Sequence, residues 1–187
     1  AWQGKAVAQL VASSLAASAG PLRRSDLALA GLVGNVVALH VAVALLPEVG
    51  NDALAIHLLV ASHVRDFGFW HYDVQLNVLA VTPLAVDFLY AAGYMFGGEA
   101  AARLVNVATL LVALALVHAF VRAVATVRHA LLATLVAAAS PLAALESATL
   151  FIDNAWAMFV VASLVALPGF ARDGERVRLV VGGVCFG

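Results

Sequence analysis

The chain has 187 residues, is 64% apolar and only 11% charged, and has a mean hydropathy of +1.02. Soluble domains carry about a quarter charged residues, so this composition excludes an ordinary water-soluble domain and points to a bilayer as solvent for much of the chain. A net charge of −1 leaves no electrostatic footprint for nucleic acid, and the single Cys185 allows neither a disulfide framework nor a thiolate metal site.

Residues 1–20 place Lys5 before an Ala-rich stretch, a pattern shared with signal peptides. Gln9, Ser13 and Ser14 interrupt its apolar run, which favours an amphipathic helix before Gly20-Pro21 and makes 1–26 a cytoplasmic N-terminal segment. The run "LALAGLVGNVVALHVAVALL", 27–46, is long enough for one span. A long outer loop, about 47–100, follows. Further spans are expected at 104–121, 130–145 and 154–170, and a run from Val177 starts a fifth, incomplete one. The stretch 78–96 has apolar residues enough to span, but Pro83, Asp87 and Gly97-Gly98 argue for a partly buried helix along the membrane interface. The expected fold is therefore all-α, a polytopic transmembrane bundle of about five spans with interfacial helices in its first outer loop. With no initiator Met and a truncated last run, 27–187 reads as the N-terminal part of a longer transmembrane domain.

Charge distribution sets the expected orientation. With the N-terminus in the cytoplasm and 78–96 outside the membrane, Lys5, Arg23, Arg24, Arg122, Arg128, Arg172, Arg176 and Arg178 are cytoplasmic, and only Arg65 and Arg103 are not. That is the positive-inside bias of multi-pass proteins. Glu48, Asp52, Asp66, Asp73, Asp87, Glu99, Glu146 and Asp153 then fall on the outer side.

Within the outer loop, Asn51 is a good helix cap, and 52–66 holds no breaker, so a helix of about four turns is expected. At about 100° per residue Asp52, Ile56, Leu59, His63 and Asp66 share a stripe, with His57 off it. Asp52 sits in the first turn, where the helix dipole favours a carboxylate. Such a group suits a general base or a metal ligand, and equally the solvated face of an interfacial helix. The aromatics Phe67, Phe69, Trp70, His71 and Tyr72 suit stacking on a sugar face or an interfacial belt. Asp87, on a mostly apolar helix, needs a partner, and Arg103 is the expected one. His40 and His118 lie inside expected spans, where imidazole serves as a haem or pigment ligand or as an interhelical hydrogen-bonding group.

The pieces "NDALAIHL" (51–58), "TPLAVDFLYAAGYMFGGEAAARLVN" (82–106) and "ASPLAALESATLFIDNAWAMF" (139–159) together resemble the GT-C membrane glycosyltransferases, of the protein O-mannosyltransferase and lipid A aminoarabinose transferase type. The resemblance implies transfer of a sugar from a polyprenyl-phosphate donor to an acceptor on the extracytoplasmic face, with inversion. It implies Asp52 as catalytic base and Asp153 as a second acid, with a Mg2+ or Mn2+ ion between them as the metal the resemblance allows. Arg65 or Arg103 would balance the donor phosphate, and His57, Trp70 and Tyr72 would line the sugar. Asn51-Asp52 stands where many relatives have paired acids, and Ile56-His57-Leu58 where others have Tyr-His-Leu. Membrane lipid and the remaining spans, in the same chain or in other subunits, are the expected partners. The alternative is a non-catalytic membrane subunit of a larger complex, a degenerate relative or a pigment- or haem-holding helical protein.

Overall fold

The computed structural model describes residues 23–70 and 84–186, and among them every regular element is helical. In chain order these are α1 (Arg24–Ala44), a π-turn (Ala53–His57), α2 (Leu58–Phe67), α3 (Ala85–Val124), α4 (Val127–Ala138), α5 (Pro141–Ala148), α6 (Asp153–Asp173) and α7 (Arg176–Phe186).

Two of these helices, α1 and α3, are long and apolar enough to cross a membrane, and α4 with α5 makes a third if that pair, bent by 54°, counts as one span. Of the five expected spans, these helices support two or three among the described residues. The stretch 130–145 is interrupted at Ser140-Pro141, because proline has no N–H to donate and pushes its predecessor out of the helical region. Pro141 instead opens α5, a position where its missing donor costs nothing. The expected span at 154–170 falls within α6, a helix of 21 residues. The run from Val177 lies in α7, which has 11 residues.

The expected interfacial helix and the second span prove to be two halves of α3; residues 78–83 of the former lie outside the described residues. A straight helix of 40 residues would reach about 60 Å, twice the hydrocarbon thickness. It is not straight. Gly98 sits at φ 66°, ψ −155°, a conformation open to glycine and costly to any residue with a Cβ. The break separates 85–96 from the apolar run that follows.

The packing divides the chain into two compact units. The described part of one comprises 23–37, 111–140 and 156–186. Its buried polar side chains are bonded mainly to backbone: Thr134 Oγ1 donates to the Ala130 carbonyl (2.8 Å), with His118 Nδ1 at 3.4 Å, and Ser163 Oγ lies 3.1 Å from the carbonyls of both Phe159 and Gly182. Ser163 thereby ties α6 to α7. The other unit comprises the described residues of 38–110 and 141–155. Its core is Ala53, Tyr90, Ala102 and Leu150, all fully buried, with Leu58, Val86, Tyr94, Val105 and Ile152 packed against them. His40, in α1, is buried here and engaged. This unit carries Asp52, His57, Arg65, Trp70, Arg103 and Asp153; Tyr72 lies outside the described residues.

Candidate functional site

The segment after α1 is held by one buried carboxylate. Glu48 Oε1 accepts from the backbone N–H groups of Val49 (2.9 Å) and Gly50 (2.8 Å), and its Oε2 accepts from Leu150 N–H (2.9 Å), 102 residues away. The Glu48 N–H itself donates to the Glu99 carboxylate. Arg103 Nε stands 3.6 Å from Glu48 Oε2, and both side chains are almost wholly buried. The same guanidinium donates to the Leu46 carbonyl and, at 2.5 Å, to that of Ala148. A planar fork with several donors bonds two carbonyls while its charge lies beside the Glu48 carboxylate, which an ammonium on a flexible stem does not reproduce. The charges neutralise each other, and the carbonyls at the ends of two helices gain the donors that those ends lack.

Asn106, one turn further along α3, extends the network. Its Nδ2 donates to the carbonyls of Glu146 (2.7 Å) and Thr149 (3.0 Å), while its Oδ1 accepts from Tyr90 Oη and Asn154 Nδ2, each at 3.2 Å. Tyr90 Oη also lies 2.5 Å from the Phe151 carbonyl. Every hydrogen-bonding end of the Asn106 amide is engaged, as burial of an amide requires.

The first-loop helix departs from the expected form. Asn51 and Asp52 are helical, but 53–57 form a π-turn before α2 begins. π-Turns are rare and concentrate at functional sites. The stripe from Asp52 to Asp66 assumed α-helical steps throughout, and the wider turn breaks it between Asp52 and Leu58. His57, off that stripe, turns inward: it is 8% exposed, and its Nδ1 donates to Asp87 Oδ1 at 2.5 Å. Its ring stands edge-on to Tyr90, 6.5 Å between centroids. The expected Asp87–Arg103 pair is thus corrected on both sides. His57 is the partner of Asp87, and Glu48 is that of Arg103, because the π-turn brings the imidazole to residue 87 while Arg103 stands beside the end of α1.

Three of the outer acids therefore serve internal bonds. Glu48 and Asp87 are buried, and Glu99 accepts from backbone. Asp66 is exposed but bonded to Arg65 Nε at 2.7 Å, and that hydrogen bond holds its carboxyl below the usual carboxylate range. Arg65 also lies over Tyr94, 5.1 Å from the ring centroid. Trp70 is half-buried, edge-on to His63 at 5.4 Å. Asp52 is different: it is exposed, and its carboxylate caps no backbone N–H. Asp153 is exposed in the first turn of α6, in electrostatic contact with Glu146. Tyr90 lies within electrostatic reach of Asp87, Asp153 and Glu146, so these acids surround one buried phenol.

Among the described residues no three His, Cys, Asp or Glu side chains converge to hold a metal ion. A Mg2+ ion that keeps its waters and substrate phosphates takes as few as one or two carboxylates, and Asp52 and Asp153 are exposed acids able to serve in that way.

In the sequence Glu48 counts only as one of the acids expected on the outer side, and Asn106 and Asn154 carry no expected role. Their signal was polar character within apolar helices or at a helix mouth, which in a membrane chain marks a residue with a partner. Comparison with known proteins adds no relative to this geometry: no family model matches the chain, and no curated protein or solved structure matches it significantly.

Proposed function

We propose that this chain belongs to an integral membrane glycosyltransferase of the GT-C type, with its N-terminus cytoplasmic and its site on the extracytoplasmic side. The observation that carries the reading is Asp52, an exposed carboxylate beside a π-turn, where the neighbouring acids Glu48 and Asp87 are held by buried partners. The turn behind it is fixed by the His57–Asp87 pair, so the carboxylate is presented on a rigid support, the condition for efficient proton transfer.

In this reading Asp52 takes the proton of an acceptor hydroxyl or amine. The freed lone pair attacks the anomeric carbon from the side opposite the leaving group and forms the new glycosidic bond. The bond from that carbon to the phosphate oxygen breaks, and its electrons leave with the polyprenyl phosphate. Inversion follows from the single displacement. Arg65, exposed at the end of α2, is suited to the donor phosphate. Asp153 is the second acid, and with Asp52 it would meet any Mg2+ or Mn2+ carried by that phosphate; such an ion would supply charge neutralisation there. Trp70 and Tyr72 are assigned to the sugar face. Arg103 and His57 hold the support.

The test is transfer by membranes containing the chain, assayed with a panel of polyprenyl-phosphate sugars. Asp52→Asn is expected to lower the rate about 10²–10⁴-fold, the range of general-base contributions, with membrane insertion unchanged. Undiminished transfer by that variant sinks the assignment. A second reading, a non-catalytic membrane subunit, is favoured by the internal commitment of Glu48, Asp87 and Arg103. It predicts no transfer with any donor of the panel and stable co-purification with other membrane proteins.

A further inference from the structure

The first half of α3, residues 85–96, is built inside out. Its polar side chains face the protein: Asp87, 1% exposed, meets His57; Tyr90 meets the Phe151 carbonyl and Asn106; Tyr94 lies against Arg65. The opposite face carries Phe88, Leu89, Ala92, Met95 and Phe96, all exposed, with Met95 at 62% and Phe96 at 93%. Their spacing of i, i+1, i+4, i+7 and i+8 defines one continuous helical face, and no charged residue stands on it. A helix at a water-facing surface has the reverse arrangement.

The half-helix folds back on the start of the apolar run. A Cβ on Gly93 would lie 2.8 Å from Val105 Cγ2 and 3.3 Å from Ala102 Cα, so only glycine permits this approach. Tyr90 reaches Asn106 in the same antiparallel sense. The outward apolar face therefore continues, through the turn at Gly97-Gly98, into a helix long and apolar enough to cross a membrane.

We infer that residues 85–96 are embedded in lipid, with Phe88, Leu89, Met95 and Phe96 covered by acyl chains of the leaflet nearest the polar network. The face offers no donor, acceptor or charge that would fix the register of a protein partner, and it is continuous with a membrane-crossing surface. Bilayer lipid is thus the occupant that its chemistry fits. The inference rests on the reading of α1 and α3 as membrane helices and not on the glycosyltransferase reading.

The experiment uses the full chain carrying Cys185→Ala, with single cysteines introduced as L89C, F96C, V49C or V112C and labelled with an environment-sensitive NBD dye. Each protein is reconstituted in phosphatidylcholine–phosphatidylglycerol vesicles. Labels at 89 and 96 should emit to the blue of the label at 49 and be quenched at least threefold more by acyl-brominated phosphatidylcholine than by aqueous iodide. The label at 49, on an exposed loop residue, should show the opposite preference. Iodide quenching at 89 and 96 equal to that at 49 overturns the inference. Protection there from both quenchers overturns it too, in favour of a protein partner such as a second copy. Position 112, in the second half of α3, separates the two levels: loss of lipid quenching there defeats the membrane reading itself.

Discussion

The two units of the chain solve the burial of polar groups in different ways. In the unit of 23–37, 111–140 and 156–186, the buried side chains Asp26, Thr134 and Ser163 bond to backbone, each within four residues, and Ser163 also reaches the Gly182 carbonyl of α7. In the unit of 38–110 and 141–155, Glu48, His57, Asp87, Arg103 and Asn106 are buried and joined across separations of 30 to 102 residues. The first pattern adds less specificity, because most of its bonds return to backbone within one turn and only that of Ser163 to Gly182 crosses to another helix. The second fails unless every partner is present, since a buried charge left alone costs several kcal/mol. The lesson is that the unit of 38–110 and 141–155 is specified by a long-range polar network and the other mainly by apolar packing.

That difference is open to measurement by thermal unfolding of the purified protein in detergent. Arg103→Ala should have the largest effect, about 3–5 kcal/mol of destabilisation, because Glu48 is left buried and unpaired; a loss below about 1 kcal/mol would erase the distinction between the units. Asn106→Leu keeps the branched shape of the side chain and removes every bond of the amide. It should cost about 3 kcal/mol, from several stranded groups at about 1–3 kcal/mol each. Tyr90→Phe removes only the hydroxyl, with about 1 kcal/mol expected. Ser163→Ala, in the other unit, should cost about 0.6 kcal/mol, the average for an interhelical bond in a membrane protein. If the serine change equals the asparagine change, the contrast is broken. Asp52→Asn sharpens it from the other side, since an exposed carboxylate without a cap bond should leave the melting temperature unchanged.

Much of the fold was legible in the composition. Low charge and long apolar runs favour helices, which satisfy their own backbone in an apolar solvent, and the described residues are helical, with two or three helices long and apolar enough to cross a membrane. The run at 27–46 became α1 with its limits shifted by a few residues. The bend at Ser140-Pro141 was not legible as a bend, because hydropathy leaves joined what the proline divides by geometry. The candidate site was readable as a cluster of charge in the outer loop, but its pairings were not. Spacing alone gave no means to choose between Asp87 and Glu48 as the partner of Arg103.

What the amino-acid order determined by itself was the helical class, helices long and apolar enough to cross a membrane, and the position of Asp52 at the opening of a loop helix. These follow from local composition and from the residues that start and stop helices. Only the tertiary structure decided which charges are engaged: the π-turn sends His57 to Asp87, and Arg103 reaches Glu48 and the ends of α1 and α5. The reason is physical. A salt bridge depends on where two helix ends meet in space, and residues separated by 30 or more positions carry no local signal of that meeting.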